Sequence, residues 1–148
     1  MTDSPMTGGC ACGRVRFTAN VANDEAYLCH CRMCQRITGS VSIAFKNVPQ
    51  ASVTWSSGPD WYDSSPIARR LYCRECGTSL GFQFKEGPNL DLTVASFDDP
   101  SRFQPTSHFG VESMHRQWIN TEGLPENRSD EHKPLVEKWI AATGKMPD

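Results

Sequence analysis

Seven cysteines in three tight clusters constrain this chain more than any other feature: Cys10-Ala11-Cys12-Gly13, Cys29-His30-Cys31-Arg32-Met33-Cys34 and Cys73-Arg74-Glu75-Cys76-Gly77. Cysteines two or three positions apart on a turn aim their sulfurs at one point, which suits a tetrahedral zinc ion. Seven is an odd number, so a pure disulfide framework would leave a thiol over. Residues 1–9 show neither a charged leader segment nor an apolar run, so no secretory signal is read there. The expected location is therefore the cytoplasm, where thiols stay reduced and such spacing points to metal. Seven buried thiols without metal would not need this spacing.

Glycine follows the second cysteine of the first and third clusters, as Cys12-Gly13 and Cys76-Gly77, whereas Gln35 follows Cys34. A glycine there relaxes the turn and lets backbone N–H groups approach the sulfurs. The first and third clusters thus look like matched halves of one closed four-cysteine site, leaving Cys29, Cys31 and Cys34 as a second site. Three protein ligands with one vacant position is the design of catalytic zinc sites. Two zinc ions per chain are expected. The competing arrangement makes both ions structural, with His108, His115 or His132 as the eighth ligand. His30 lies between two ligands and should point away from their ion.

The remainder bounds the frame. A chain of 148 residues fits one domain. Its hydrophobic fraction, 38% without glycine, lies below the usual 45–50% or so even when glycine is allowed for, so its core is modest and staples would help. A net charge of -2 without a basic patch argues against nucleic-acid binding. No apolar run approaches the 18 or so residues of a membrane helix. Alternating segments at residues 14–19, 41–45 and 53–55 read as strands. Residues 80–84 and 90–94 flank Lys85-Glu86-Gly87-Pro88-Asn89 and read as a hairpin. Residues 32–37 form a short helix ended by Gly39. Residues 98–127 read as loop, with Pro100, Pro105, Gly110, Gly123 and Pro125. Ser129 or Asp130 caps a last helix whose apolar stripe, Leu135, Val136, Trp139 and Ile140, is expected to dock on the domain, with Gly144 as its stop. The division expected is a flexible N-terminus at 1–7, a zinc-binding domain at 8–126, and a C-terminal helix and tail at 127–148.

The string Gly9-Cys10-Ala11-Cys12-Gly13-Arg14-Val15-Arg16-Phe17, then Cys29-His30-Cys31-x-x-Cys34 with Gly39, Ser64-Ser65, and Arg70-Leu71-Tyr72-Cys73-x-x-Cys76-Gly77-Thr78-Ser79-Leu80, resembles the glutathione-dependent formaldehyde-activating enzyme (GFA) family, which includes the centromere protein V domain. The likeness continues through Ser96-Phe97-Asp98-Asp99-Pro100, Pro105-Thr106-Ser107-His108, Trp118 and Gly123-Leu124-Pro125, covering about residues 8–126. It implies a mainly β fold, a "beta-tent" of stacked antiparallel sheets with zinc knuckles, to which this chain adds its C-terminal helix. It also implies a structural zinc on Cys10, Cys12, Cys73 and Cys76, and a second zinc on Cys29, Cys31 and Cys34. The implied reaction joins glutathione and formaldehyde to S-hydroxymethylglutathione, a carbon–sulfur lyase reaction in reverse. The sequence departs from the family at Gly110, where an aromatic is often found, and at Met114-His115-Arg116.

Three thiolates make a zinc ion a weak Lewis acid but keep a bound substrate thiol electron-rich, which favours thiol activation over hydrolysis. The expected partners are glutathione or another small thiol, and an aldehyde. Arg36 and Arg70 are the first candidates to bind substrate carboxylates, with Arg32 and Arg69 also near the clusters in sequence. His30 and His108 are candidates to shuttle a proton, although a structural role suits His108. Tyr72, Phe45 and Trp55 read as core. The competing functions are a noncatalytic zinc module with an interaction surface, and a redox or metal sensor using the exposed triplet.

Overall fold

The computed structural model describes residues 4–146. They divide into two units, one ending at Arg116 and one beginning at Gln117, ahead of the boundary at 126 read from the sequence.

In the first unit, Ser4–Gly9 (β1), Arg16–Val21 (β2) and Val53–Ser57 (β5) form a three-stranded antiparallel sheet in the order β1-β2-β5. The second sheet has seven strands: Glu25–Cys29 (β3), Ile43–Pro49 (β4), Asp60–Ser65 (β6), Ala68–Tyr72 (β7), Ser79–Phe84 (β8), Asn89–Thr93 (β9) and Gln104–Phe109 (β10). Their order is β10-β3-β4-β9-β8-β7-β6, antiparallel except for the parallel pair β10 and β3. The mainly β architecture and the 80–94 hairpin agree with the sequence reading. Two expectations need correcting. Ser4 to Thr7, taken as part of a flexible terminus, lie in β1, paired residue by residue with β2. The stretch taken as all loop contains β10, which pairs with β3 despite Pro105. Proline can occupy an outer strand, where its missing N–H breaks no interior ladder.

Period-two alternation explains the packing. In β2 the residues Phe17, Ala19 and Val21 are buried while those between are not. They enter one core with Val48, Leu71, Leu90 and Leu92 of the large sheet. Phe17 meets Trp55 and Phe97 edge-on, with ring centroids 5.4 and 5.2 Å apart. Trp55 is thus at the edge of the core, as expected. The opposite face of the large sheet carries a second cluster, in which Phe45 packs with Cys29 and Cys34. Asn47 pairs with Asp91, Asp91 with Phe82, and Phe82 with Arg70. This row crosses four strands and, by alternation, shares a face with Phe45.

Arg32–Thr38 (α1) follows β3 and stops at Gly39, as its sequence predicts. A single helical turn, Arg116–Ile119 (α2), straddles the division between units. In the second unit, Lys133–Thr143 (α3) ends at Gly144 in the left-handed region. Its cap is His132, whose Nδ1 accepts the Leu135 N–H, in place of Ser129 or Asp130; Pro134 belongs in a first turn, which sets the start here. Leu135, Trp139 and Ile140 are 38–43% exposed. Among the described residues no helix is long and apolar enough to cross a membrane.

Asp98 ties β1 to β2. The Arg16 guanidinium grips its carboxylate at 2.6 and 2.9 Å and the Thr7 hydroxyl donates to it. These donors hold its pKa down from 3.8 to about 2. A depressed carboxylate contributes stability that is present above its unfolded value and lost as pH falls through the folded one. Asp98→Asn should therefore cost about 1 kcal/mol or less at pH 7, because solvent screens this half-exposed pair, and the difference should vanish toward pH 2. Denaturant melts of both proteins across that range check it; a difference independent of pH would remove the ion pair as its cause.

Candidate functional site

The first sulfur group joins the two sheets. Cys10 and Cys12 stand on the turn between β1 and β2, where Gly13 N donates to Cys10 O at 3.1 Å. Cys73 and Cys76 stand on the turn between β7 and β8, where Gly77 N donates to Cys73 O at 2.7 Å. Gly13 and Gly77 have φ of 82° and 76°, the left-handed conformation that closes each knuckle and favours glycine. The four sulfurs all lie within 4.8 Å of one another. Two separations are 3.5 Å, Cys10 to Cys12, and 3.8 Å, Cys12 to Cys73. Zn–S bonds of about 2.3 Å at tetrahedral angles place sulfurs roughly 3.8 Å apart, so the donor set fits that ion.

Donors face three of these sulfurs. Val15 N points at Cys10 Sγ at 3.2 Å. The Thr78 hydroxyl and the amides of Thr78 and Cys12 hold the Cys76 pKa down to about 5. Arg14 lies against Cys73 and is paired with Asp60, which also accepts the Arg74 N–H at 2.8 Å.

The second group is Cys29, Cys31 and Cys34, again within 4.8 Å, and no histidine belongs to it among the described residues. Cys29 ends β3 and Cys31 caps α1, its Sγ accepting the Cys34 N–H at 3.4 Å. The cap pulls Cys31 Sγ over the first turn, where Cys34 also points. Arg70 completes the cluster from β7: both terminal nitrogens donate to Cys34 Sγ at 3.4 Å, and the guanidinium lies 4.8 Å from the Phe82 ring centre. The Cys29 thiol and then Arg70 hold Cys34 below the usual thiol range, while Cys29 is pushed up by the Cys34 sulfur opposite and by burial.

A cavity of about 400 Å³ opens over these three cysteines. Arg70, Phe45 and His108 line it, so Phe45 is a buried wall of the cavity as well as core. Arg36 is exposed and is not among the lining residues. Arg32 donates to Gln35 Oε1 at 2.7 Å, and Arg69 lies over the Trp61 ring. His30 is fully buried behind the wall, its Nε2 2.9 Å from His108 Nδ1. Burial first, then His108 and Arg116, keeps the His30 pKa below its ordinary value.

Sequence reasoning missed several of the residues that shape this site. Asp91 lines the cavity at 8% exposure, with Asn47 Nδ2 donating to it at 2.9 Å and the Tyr27 hydroxyl beside it; burial raises its pKa. Its alternation with Leu90 and Leu92 was the available signal, but alternation does not distinguish a solvent face from a cavity face. Gln35 is buried and donates to His30 O and Ser113 O at 2.8 and 3.0 Å, holding α1 against the loop after β10. Gly110, the departure noted above, has φ of 70°, and a Cβ there would stand 2.8 Å from Cys31 N. The position has no room for an aromatic.

Comparison with known proteins agrees with this architecture. A crystal structure of a Rhodobacter sphaeroides protein, 22% identical, superposes with a TM-score of 0.56 over 70% of this chain and 99% of that one, a likeness of fold alone. A protein of Schizosaccharomyces pombe (strain 972 / ATCC 24843) described as an uncharacterized lyase is 32% identical over 82 residues, which span 55% of this chain and 60% of that protein's length. A family model described as glutathione-dependent formaldehyde-activating enzyme matches residues 5–113, a span that takes in both sulfur groups and the cavity wall, and the chain belongs to that family.

Proposed function

We propose that this chain is a zinc-dependent carbon–sulfur lyase of the GFA type that makes or breaks a thiol–aldehyde adduct, S-hydroxymethylglutathione being the expected example. The observation that carries this reading is a group of three convergent sulfurs opening on a cavity, distinct from a four-sulfur group between two turns. The first would hold a reactive zinc on Cys29, Cys31 and Cys34. The second would hold a structural zinc on Cys10, Cys12, Cys73 and Cys76. When bound at the three-sulfur group, zinc keeps a substrate thiol deprotonated near neutral pH.

The chain's own residues do the rest. Arg70 offsets the negative charge of the sulfurs through its two donors to Cys34. Phe45 and Phe82 give the reacting centre apolar walls. In the condensation a sulfur lone pair attacks the aldehyde carbon, the carbonyl π pair moves to oxygen, and that oxygen takes up the proton released by the thiol. Cleavage runs the same steps backwards. His108 is the imidazole on the cavity wall and is placed to handle that proton, while His30, behind it, orients its ring through the 2.9 Å contact.

The test is to mix glutathione and formaldehyde and follow the adduct by NMR exchange, with Cys31→Ser as control. The uncatalysed reaction proceeds in water, so the expected result is exchange faster with wild-type protein than with buffer or the variant. Exchange no faster than in buffer would sink the formaldehyde assignment. Two ions bound without any rate gain would favour the noncatalytic zinc module.

A further inference from the structure

The cavity over the three cysteines has two chemically different ends. At one end are the sulfurs, with Arg70 bonded to Cys34. At the other, Asp91, Asn47, Tyr27 and Ser107 line the wall. Strand register builds this second end: Asn47 and Asp91 are partners on β4 and β9, and Ser107 stands beside Tyr27 on β10 and β3. The Asn47 amide donates to Asp91 Oδ1 at 2.9 Å, and the Tyr27 hydroxyl also bonds to that carboxyl group.

Both of these donors are neutral. An ionised carboxylate offers about four lone-pair sites, so capacity remains on the side that faces the cavity. Asp91 is 8% exposed, and burial among neutral donors leaves its charge short of compensation. The arginine on this wall, Arg70, directs both terminal nitrogens at Cys34. No step of the thiol–aldehyde chemistry uses Asp91. A buried acid that lines a cavity and lacks a dedicated cation is suited to a cation carried by the ligand.

The spacing says which ligand. Asp91 pairs with Phe82 and Phe82 with Arg70, so two strand steps, roughly 9–10 Å at about 4.8 Å each, separate Asp91 from the arginine that touches Cys34. About three extended chain units of about 3.5 Å span that distance. In glutathione a γ-glutamyl arm of comparable length separates the thiol from a primary ammonium group. A sulfur held at the three-cysteine end therefore brings that ammonium to the Asp91 end. The carboxylate on the same carbon meets a donor in the Ser107 hydroxyl.

We propose that Asp91 recognises the thiol substrate through an ion pair with the α-ammonium group of a γ-glutamyl thiol, while the Ser107 hydroxyl donates to the adjacent carboxylate. The proposal deepens the lyase reading and rests on it. Asn47 and Tyr27 are positioning residues that hold the Asp91 carboxylate.

The test is calorimetric titration of the zinc-loaded full-length protein with glutathione and with N-acetylglutathione, in which the amine is blocked. Glutathione should bind at least about tenfold more tightly, a factor equivalent to about 1.4 kcal/mol. Asp91→Asn should weaken glutathione by that factor and leave N-acetylglutathione unchanged, with circular dichroism and zinc content verifying the variant. The wild-type comparison stands without the variant. Equal binding of the two thiols by the wild-type protein overturns the proposal. So does an Asp91→Asn protein that still discriminates between them, or one that weakens both equally, since Asp91 then only shapes the cavity. Failure of both thiols to bind overturns it too. The lyase reading falls only if thiol–aldehyde exchange with the wild-type protein is also no faster than in buffer.

Discussion

Cys73→Ser and Cys76→Ser are expected to give unfolded or insoluble protein, whereas Cys31→Ser folds and keeps one metal ion. A structural zinc of the four-sulfur kind contributes about 10–16 kcal/mol of apparent binding free energy at neutral pH. A domain of this size is stable by about 5–15 kcal/mol in total. Losing the ion at the closed site therefore removes as much free energy as the fold has. Cys73 is also fully buried in the main core, so its replacement places a hydroxyl among apolar groups. Cys76 is exposed, so Cys76→Ser removes a ligand with little direct damage to the core and is the cleaner arm. The group spans a turn of the small sheet and a turn of the large one, and the Ala11 N–H to Thr78 Oγ1 bond of 3.1 Å is a modest substitute for an ion between them. Cys31 differs in kind. It is the N-cap of α1, and serine is itself a favoured N-cap, so the helix keeps its start after the exchange. Far-UV circular dichroism, solubility and metal content per chain report the outcome. Equal collapse of all three variants would erase the distinction between a closed and an open site.

The parts of this fold that are legible in the sequence are those specified by short spacing. The cysteine clusters need only a turn, a glycine and a fixed interval, and the sulfurs meet where that pattern requires. The β8–β9 hairpin and the Gly39 stop of α1 are equally local. Elements that depend on a distant partner were not legible. All six residues of β10 are exposed, so the strand carries no alternation to read, and it exists because β3 supplies a parallel edge. The first strand is similar, since Ser4 to Thr7 show little pattern until β2 lies beside them.

The cavity wall illustrates the same limit at the level of single residues. Arg70 was noticed because it lies near Cys73 in sequence, yet its side chain serves the other sulfur group, through a register that sets it beside Phe82. Asp91 lies in the second strand of the hairpin, and its bond from Asn47 and its place on the cavity wall come from strand register, which the sequence does not display. His30 and His108 were separate candidates, and the parallel β3–β10 pair is what makes them one unit, with His30 N bonded to Phe109 O at 2.8 Å. A pattern read along one strand identifies faces, whereas a site built across four strands is specified by register.

Arg70→Met should lower affinity for the ion at the three-cysteine site, or activity there, by about 10–100-fold, the usual cost of losing a group that supports a metal ligand. The fold should survive, because Arg70 touches Cys34 and Phe82 and none of the four cysteines of the closed group. Methionine fills much of the same volume but supplies no donor, so Cys34 loses two charge-assisted hydrogen bonds and the cation that favours its thiolate. Asp91 responds as well: Arg70 draws its pKa down against the effect of burial, so without the guanidinium the carboxyl moves further up. Arg70→Lys separates charge from geometry. It keeps the positive charge, but an ammonium group cannot present the planar fork that now directs two nitrogens at one sulfur while stacking on Phe82. Partial recovery in the lysine variant is therefore expected. Competition between the protein and a chelator for the second ion gives the affinity, and the thermal melt gives the stability of the same sample. Unchanged affinity and unchanged adduct exchange in Arg70→Met would show that the three sulfurs need no cation. Full rescue by lysine would assign the effect to charge alone. A loss seen equally in the melt would assign Arg70 to the core and not to the metal.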